Sequence, residues 1–182
     1  MKIRIVELAL ACLLLPPWAA AQDAKLKLPD FSSLAGKATE SVNISLNPWL
    51  LRIAAASMDD HDADSAATKK LLSAIKAIEI RNFQFATDNA YSAADIDAVR
   101  RQLAAPGWSQ LMQVHNRKSG EDVDMYVLVE NDLTRGFALI ASEPREFTII
   151  NIVGSIRIED LPRLENHLHL PKAALGQAHL VM

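Results

Sequence analysis

The 182-residue chain holds a single cysteine and six glycines, and only 5 % of its residues are aromatic. One cysteine excludes a disulfide scaffold and a thiolate zinc site. The scattered glycines form neither a Gly-x-Gly-x-x-Gly turn nor a Walker loop, so neither kind of phosphate cradle is present. No segment approaches the ~20 apolar residues of a membrane-spanning helix. Positive charge is not in excess: 19 Lys+Arg stand against 22 Asp+Glu, a formal net charge of −3. That balance argues against a nucleic-acid partner, whose electrostatic footprint is basic. What the chain does have is a 50 % hydrophobic composition. It is too apolar and too weakly charged to be disordered, and long enough to bury the core of one domain.

Residues 1–21 read as a secretory signal peptide. Lys2 and Arg4 give a positive start, and Leu8 to Leu15 form a short apolar core. Pro16 and Pro17 then break any helix, and Ala19-Ala20-Ala21 offers the small residues a signal peptidase needs. Cleavage is expected before Gln22, which places the protein in the periplasm or outside the cell. Leu10-Ala11-Cys12 faintly resembles a lipobox, but Ala9 stands where Leu is usual and Leu13 to Leu15 prolong the apolar run past the cysteine. A lipid anchor at Cys12 is therefore not expected. Loss of the leader also removes the only cysteine, and with it any nucleophilic thiol chemistry.

Residues 22–182 read as one domain, with a loose polar segment over 22–30 and a tail over 170–182. Phe31, Leu34 and Ala38 recur at helical spacing; Val42, Ile44 and Leu46 alternate with polar residues, as in a strand. Asn47-Pro48 marks a helix start running to about Met58, with Asn as cap and Pro in the first turn. A second helix begins near Ser65. Ile78 and Ile80 take one strand parity and Phe83 and Phe85 the other, so a bulge near Arg81-Asn82 is expected to bring all four to one face. Ser92 and Asp95 form a variant capping box ahead of a helix whose buried stripe is Ile96, Val99 and Leu103. Strands then follow, punctuated by turns at Ser119-Gly120, Asn131-Asp132 and Glu143-Pro144-Arg145, and a last short helix is suggested by Leu161, Leu164 and Leu168. Short hairpins imply antiparallel neighbours. The expected fold is α+β: an antiparallel sheet of about four or five strands, with helices packed on one face.

These elements carry a resemblance. Leu50-Leu51, Ile78 to Phe85, Tyr91 to Asp95, Gln102-Leu103 with Pro106-Gly107-Trp108, Glu143-Pro144 and Ile150 to Gly154 stand in an order that resembles the bacterial domain of unknown function numbered 4252. The likeness runs from about Leu34 to Lys172. It implies a small exported protein of Gram-negative bacteria, often lipid-anchored and sometimes encoded near sigma-factor regulators. It implies no reaction, cofactor or site residue.

The chemistry-bearing residues point to no assembled catalytic set. No Gly-x-Ser-x-Gly elbow is present, and the serines stand in caps and turns. Asp59, Asp60, Asp62 and Asp64 surround His61, an oxygen-rich stretch of the kind that binds calcium. It lacks the turn glycine and terminal Glu of an EF-hand, so a solvated linker is the favoured reading. His167 and His169, with His179 nearby, would suit zinc or copper only if the tail folded back; exposed histidines are favoured. Glu143 and Glu146 flank Pro144, with Glu130 in the neighbouring hairpin, yet turn carboxylates seldom meet the needs of acid–base work. Trp49 and Trp108 open secondary elements beside Pro48 and Gly107, where aromatic rings usually seal a core. Exposed on an open sheet face, the pair would mark a binding surface. The leading expectation is an exported binding or interaction module, accessory to envelope signalling, that meets an envelope protein or a second copy of itself and holds no cofactor. The alternatives are a hydrolase-type enzyme with an unrecognised site and a metal-binding periplasmic protein.

Overall fold

Short helices and strands alternate early in the chain, and a run of hairpins follows. The computed structural model describes residues 23–58, 63–131 and 133–157. Its elements are α1 (Ser32–Ala35), β1 (Glu40–Leu46), α2 (Pro48–Ala56), α3 (Ala63–Ala74), β2 (Ile75–Gln84), α4 (Ala93–Leu103), β3 (Trp108–Asn116), β4 (Glu121–Glu130), β5 (Leu133–Glu143) and β6 (Glu146–Gly154). Helix α2 starts as its sequence dictates. The Asn47 Oδ1 accepts hydrogen bonds from the amides of Trp49 and Leu50, each at 3.0 Å. Two donors that every helix start leaves open are thereby satisfied. At α4 the Asp95 carboxylate accepts from both the backbone amide and the hydroxyl of Ser92, at 2.8 and 2.9 Å.

The strands form one six-stranded antiparallel sheet in the order β1-β2-β6-β5-β4-β3. Strands β3 to β6 make a meander, and β6 lies along β2. The expected count of four or five strands is too low, because β1 pairs with β2 along its whole length.

The expectation of helices on one face is also overturned. Ile78 and Ile80 join Leu51 and Ala55 of α2 and Leu71 and Leu72 of α3 in one core cluster. Phe83 joins Ile96, Val99 and Leu103 of α4 in the other, with Phe85 beyond the strand end. Pairing of β2 with β6 is continuous from Ala77 to Gln84, and the register shift lies instead between Ile75 and Ala77. There is thus no bulge near Arg81-Asn82. The parity change reflects two buried faces, each with its own helices.

Residues 23–30, expected to be loose, are clasped across the α4 face. Ala24 and Leu26 are buried there. The Asn151 side chain accepts from the Leu26 amide at 2.9 Å and donates to the Ala24 carbonyl at 3.1 Å. The Gln102 side chain treats Lys27 in the same way, accepting from its amide at 2.8 Å and donating to its carbonyl at 2.9 Å. Two amide side chains thus stand in for the rungs of a neighbouring strand.

An aromatic cluster closes the far end of this face. Phe147 packs against Phe31, Phe83 and Tyr91, with ring centroids 5.9, 6.3 and 5.3 Å apart. The Tyr91 hydroxyl donates to the Glu143 carbonyl, and the Glu146 carbonyl lies 3.0 Å away. Burial is the main cause that pushes the Tyr91 phenol up from 10.0 to about 12. Below pH 10 both folded and unfolded chains keep this proton. Between pH 10 and 12 the unfolded chain loses it first, so stability falls as pH rises. At pH 11 the expected loss is about 1 kcal/mol. Urea unfolding at pH 9 and pH 11 checks this: the Tyr91→Phe variant should lose less stability between the two than the parent chain.

Candidate functional site

Trp49 and Trp108 lie on opposite sides of the sheet. Trp108, at the start of β3, is only 9 % exposed and belongs to the core under α4. Its ring packs so close to Gly136 that a Cβ there would lie 3.1 Å from Cη2. It is a core residue and presents no binding surface. Trp49 is 60 % exposed. Helix α2 buries Leu51 and Ala55, and helical spacing sends Trp49 and Ile53 to the opposite side. Ile53 is 49 % and Leu50 36 % exposed, so three large apolar side chains stand together on one short helix. Among the described residues the other exposed large apolar side chains, Leu111, Val129 and Leu133, sit on β3 and around the β4–β5 turn.

The metal candidates mostly lie elsewhere. Asp59, Asp60, His61 and Asp62 are outside the described residues, as are His167, His169, His179 and the signal-peptide segment. Asp64 stands in the first turn of α3, where a carboxylate favours the helix N-terminus. Among the described residues no group of three His, Cys, Asp or Glu is placed to hold a metal ion.

The carboxylates regroup. Glu143 and Glu146 are register partners across the β5–β6 hairpin. Their neighbour is Glu121, which sequence reasoning missed although it directly follows the Gly120 turn; Glu130 lies at the far end of β4 against Arg135. Burial, followed by the charges of Glu146 and Glu121, raises the Glu143 carboxyl above its ordinary value. Glu146 is meanwhile bound at 2.7 Å by Asn82, whose amide also donates to Thr148. This is the bonding of a hairpin end tied to its sheet. His115, Asp122 and Ser142 stand in a row on adjacent strands. The carboxylate sits between the other two, whereas a hydrolase triad needs the imidazole in the middle.

Arg81 and Arg100 are each taken up by a carboxylate. Arg81 binds Glu79 at 3.1 Å, and Lys25 of the N-terminal segment binds the same carboxylate at 3.2 Å. Burial opposes the charge on Glu79, but bonds from Ser45 and Lys25 and the two cations outweigh it, holding the carboxyl below its ordinary value. Arg100 reaches from α4 to the buried Asp124 at 3.0 Å. Gln110 and Gln113 fill the other Asp124 oxygen at 3.1 Å each. Both clusters tie elements together with their polar groups paired, the condition under which buried charge is tolerated. A cleft of about 290 Å³ at one end of the sheet mixes Lys76 and Arg135 with Asp23 and Glu130, so it has no field of one sign.

The molecule is therefore an α+β domain: a six-stranded antiparallel sheet covered on both faces, with three exposed large apolar side chains grouped on α2. Residues 36–164 match the family model described as Domain of unknown function (DUF4252), and the chain belongs to that family. No curated protein matches it. No helix among the described residues is long and apolar enough to cross a membrane.

Proposed function

We propose that the protein is an exported binding module of the cell envelope, accessory to envelope signalling, that works by surface contact through α2. One observation carries this reading. The Glu79 and Asp124 clusters are paired, yet Trp49, Leu50 and Ile53 project from one helix into solvent. Grouped exposed apolar side chains, with an aromatic anchor among them, are the usual start of a protein contact. Export rests on the leader over residues 1–21, with cleavage before Gln22.

The test is photocrosslinking in a Gram-negative host, with the reactive group placed at Arg52 on the exposed side of α2. The processed chain is expected in the periplasmic fraction, joined to one envelope protein. Trp49→Ala with Ile53→Ser should remove that adduct while leaving the amount of folded protein unchanged. A scatter of adducts insensitive to the double substitution would sink the proposal, as would a chain retained in the cytoplasm.

A further inference from the structure

The two edges of the sheet are guarded very differently. At β3 the register shifts between Gln110 and Met112, and Leu111 is left in a bulge. Bulges are one of the devices by which sheets prevent another strand from adding to an edge. Strand β1 has none of these devices. Its pairing with β2 runs without a shift from Glu40 to Leu46. It contains no proline or lysine, and its only charge is Glu40 at the end. Among the described residues no strand pairs with its outer side. Val42, Ile44 and Leu46 are only half-buried on the α2/α3 face, and Ser41, Asn43 and Ser45 are exposed on the other.

We infer that β1 is a self-association edge, and that its occupant is β1 of a second copy of this chain, paired antiparallel about a two-fold axis. The pattern of the strand is its own complement. Antiparallel pairing about Ile44 sets Val42 against Leu46 of the other copy and Ile44 against its own counterpart, all on one face. Apolar side chains then cover apolar side chains, and Ser and Asn meet Ser and Asn on the other face. From Ser41 to Leu46 there is no charge, so no like charges are brought into opposition. A two-fold contact uses the same patch on both copies, which a self-complementary strand satisfies at once. The contact deepens the binding-module reading without using its surface. Trp49 and Ile53 point away from the sheet and stay free for the partner of α2.

Sedimentation of the purified protein tests this, from low micromolar to several hundred micromolar. The mass should rise toward twice that of one chain. Asn43→Lys, a charge on an exposed position of the edge, should weaken association about tenfold or more. Trp49→Ala should leave it unchanged, which separates failure of this inference from failure of the α2 proposal. Hydrogen exchange of the unmodified protein gives a reading independent of any variant: residues 40–46 should gain protection as concentration rises. A chain that stays monomeric throughout overturns the inference. So does a dimer indifferent to Asn43→Lys whose β1 amides exchange equally fast at every concentration.

Discussion

Gly154→Ala is expected to cost roughly 3–4 kcal/mol of folding stability, enough to lower the melting temperature by about 10 °C in a domain of this size. Two causes act together. Gly154 ends β6 at φ +152°, a backbone conformation that side chains rarely adopt. A Cβ there would also lie 2.5 Å from the Ala74 carbonyl oxygen and 2.7 Å from the Ile75 Cα, where α3 runs directly into β2. Those neighbours are backbone and cannot rotate away, so the α3–β2 junction itself has to move. Ile75 and Ile156 on either side of it are buried in the same core, which spreads the damage. Gly36→Ala is the control. Its φ is −68°, and the nearest atom to an added Cβ is 3.5 Å away, so the change should stay within about 0.5 kcal/mol. Thermal and urea unfolding of the two variants side by side decide the matter. A Gly154→Ala protein as stable as its Gly36→Ala counterpart would show that the junction is not packed as described.

Local rules were the most legible part of this chain. Asn47-Pro48 and Ser92 with Asp95 mark their helix starts within one or two residues, because a cap is a contact between near neighbours. Strand periodicity located the hairpins for the same reason. The two faces of the sheet were missed although a signal was present. Phe137 to Ala141 and Phe147 to Val153 are nearly continuous apolar runs, the mark of strands buried on both sides. Read with that in mind, the parity change between Ile80 and Phe83 needs no bulge. Other features lie beyond any local pattern. Arg100 finds Asp124 only after α4 has docked, and Trp108 is buried only because Gly136 leaves room for it. That Trp49 stands exposed is likewise a consequence of which side of α2 meets the sheet.

The N-terminal clasp is the clearest case of structure written at a distance, and it leads to the second large expected effect. Asn151 is fully buried, yet it sits in a strand where an apolar residue would pack well. Its three hydrogen bonds explain it: it accepts from Leu26 and donates to the carbonyls of Ala24 and Phe137. The two strap partners are separated from it by 125 and 127 residues, so no window of sequence could reveal them. Asn151→Leu keeps a similar volume but orphans a buried amide and a buried carbonyl of the strap. Leaving such groups without partners costs about 2–3 kcal/mol in all. The loss need not be shared by the whole domain, because the rest of the sheet keeps its ladder. Local release of residues 23–30 is expected to come first, with Leu26 and Ala24 leaving the core and Lys25 leaving Glu79. Two readouts separate these stages. Exchange of the Leu26 amide should accelerate by about tenfold or more in Asn151→Leu, while amides of β5 and β6 slow or quicken only with global stability. Gly136→Ala should act on the same segment from the other side, since its Cβ would lie 2.8 Å from that of Ala24. If the Leu26 amide already exchanges at the rate of a free peptide in the unmodified protein, the strap is not clasped in solution, and neither substitution will free it further.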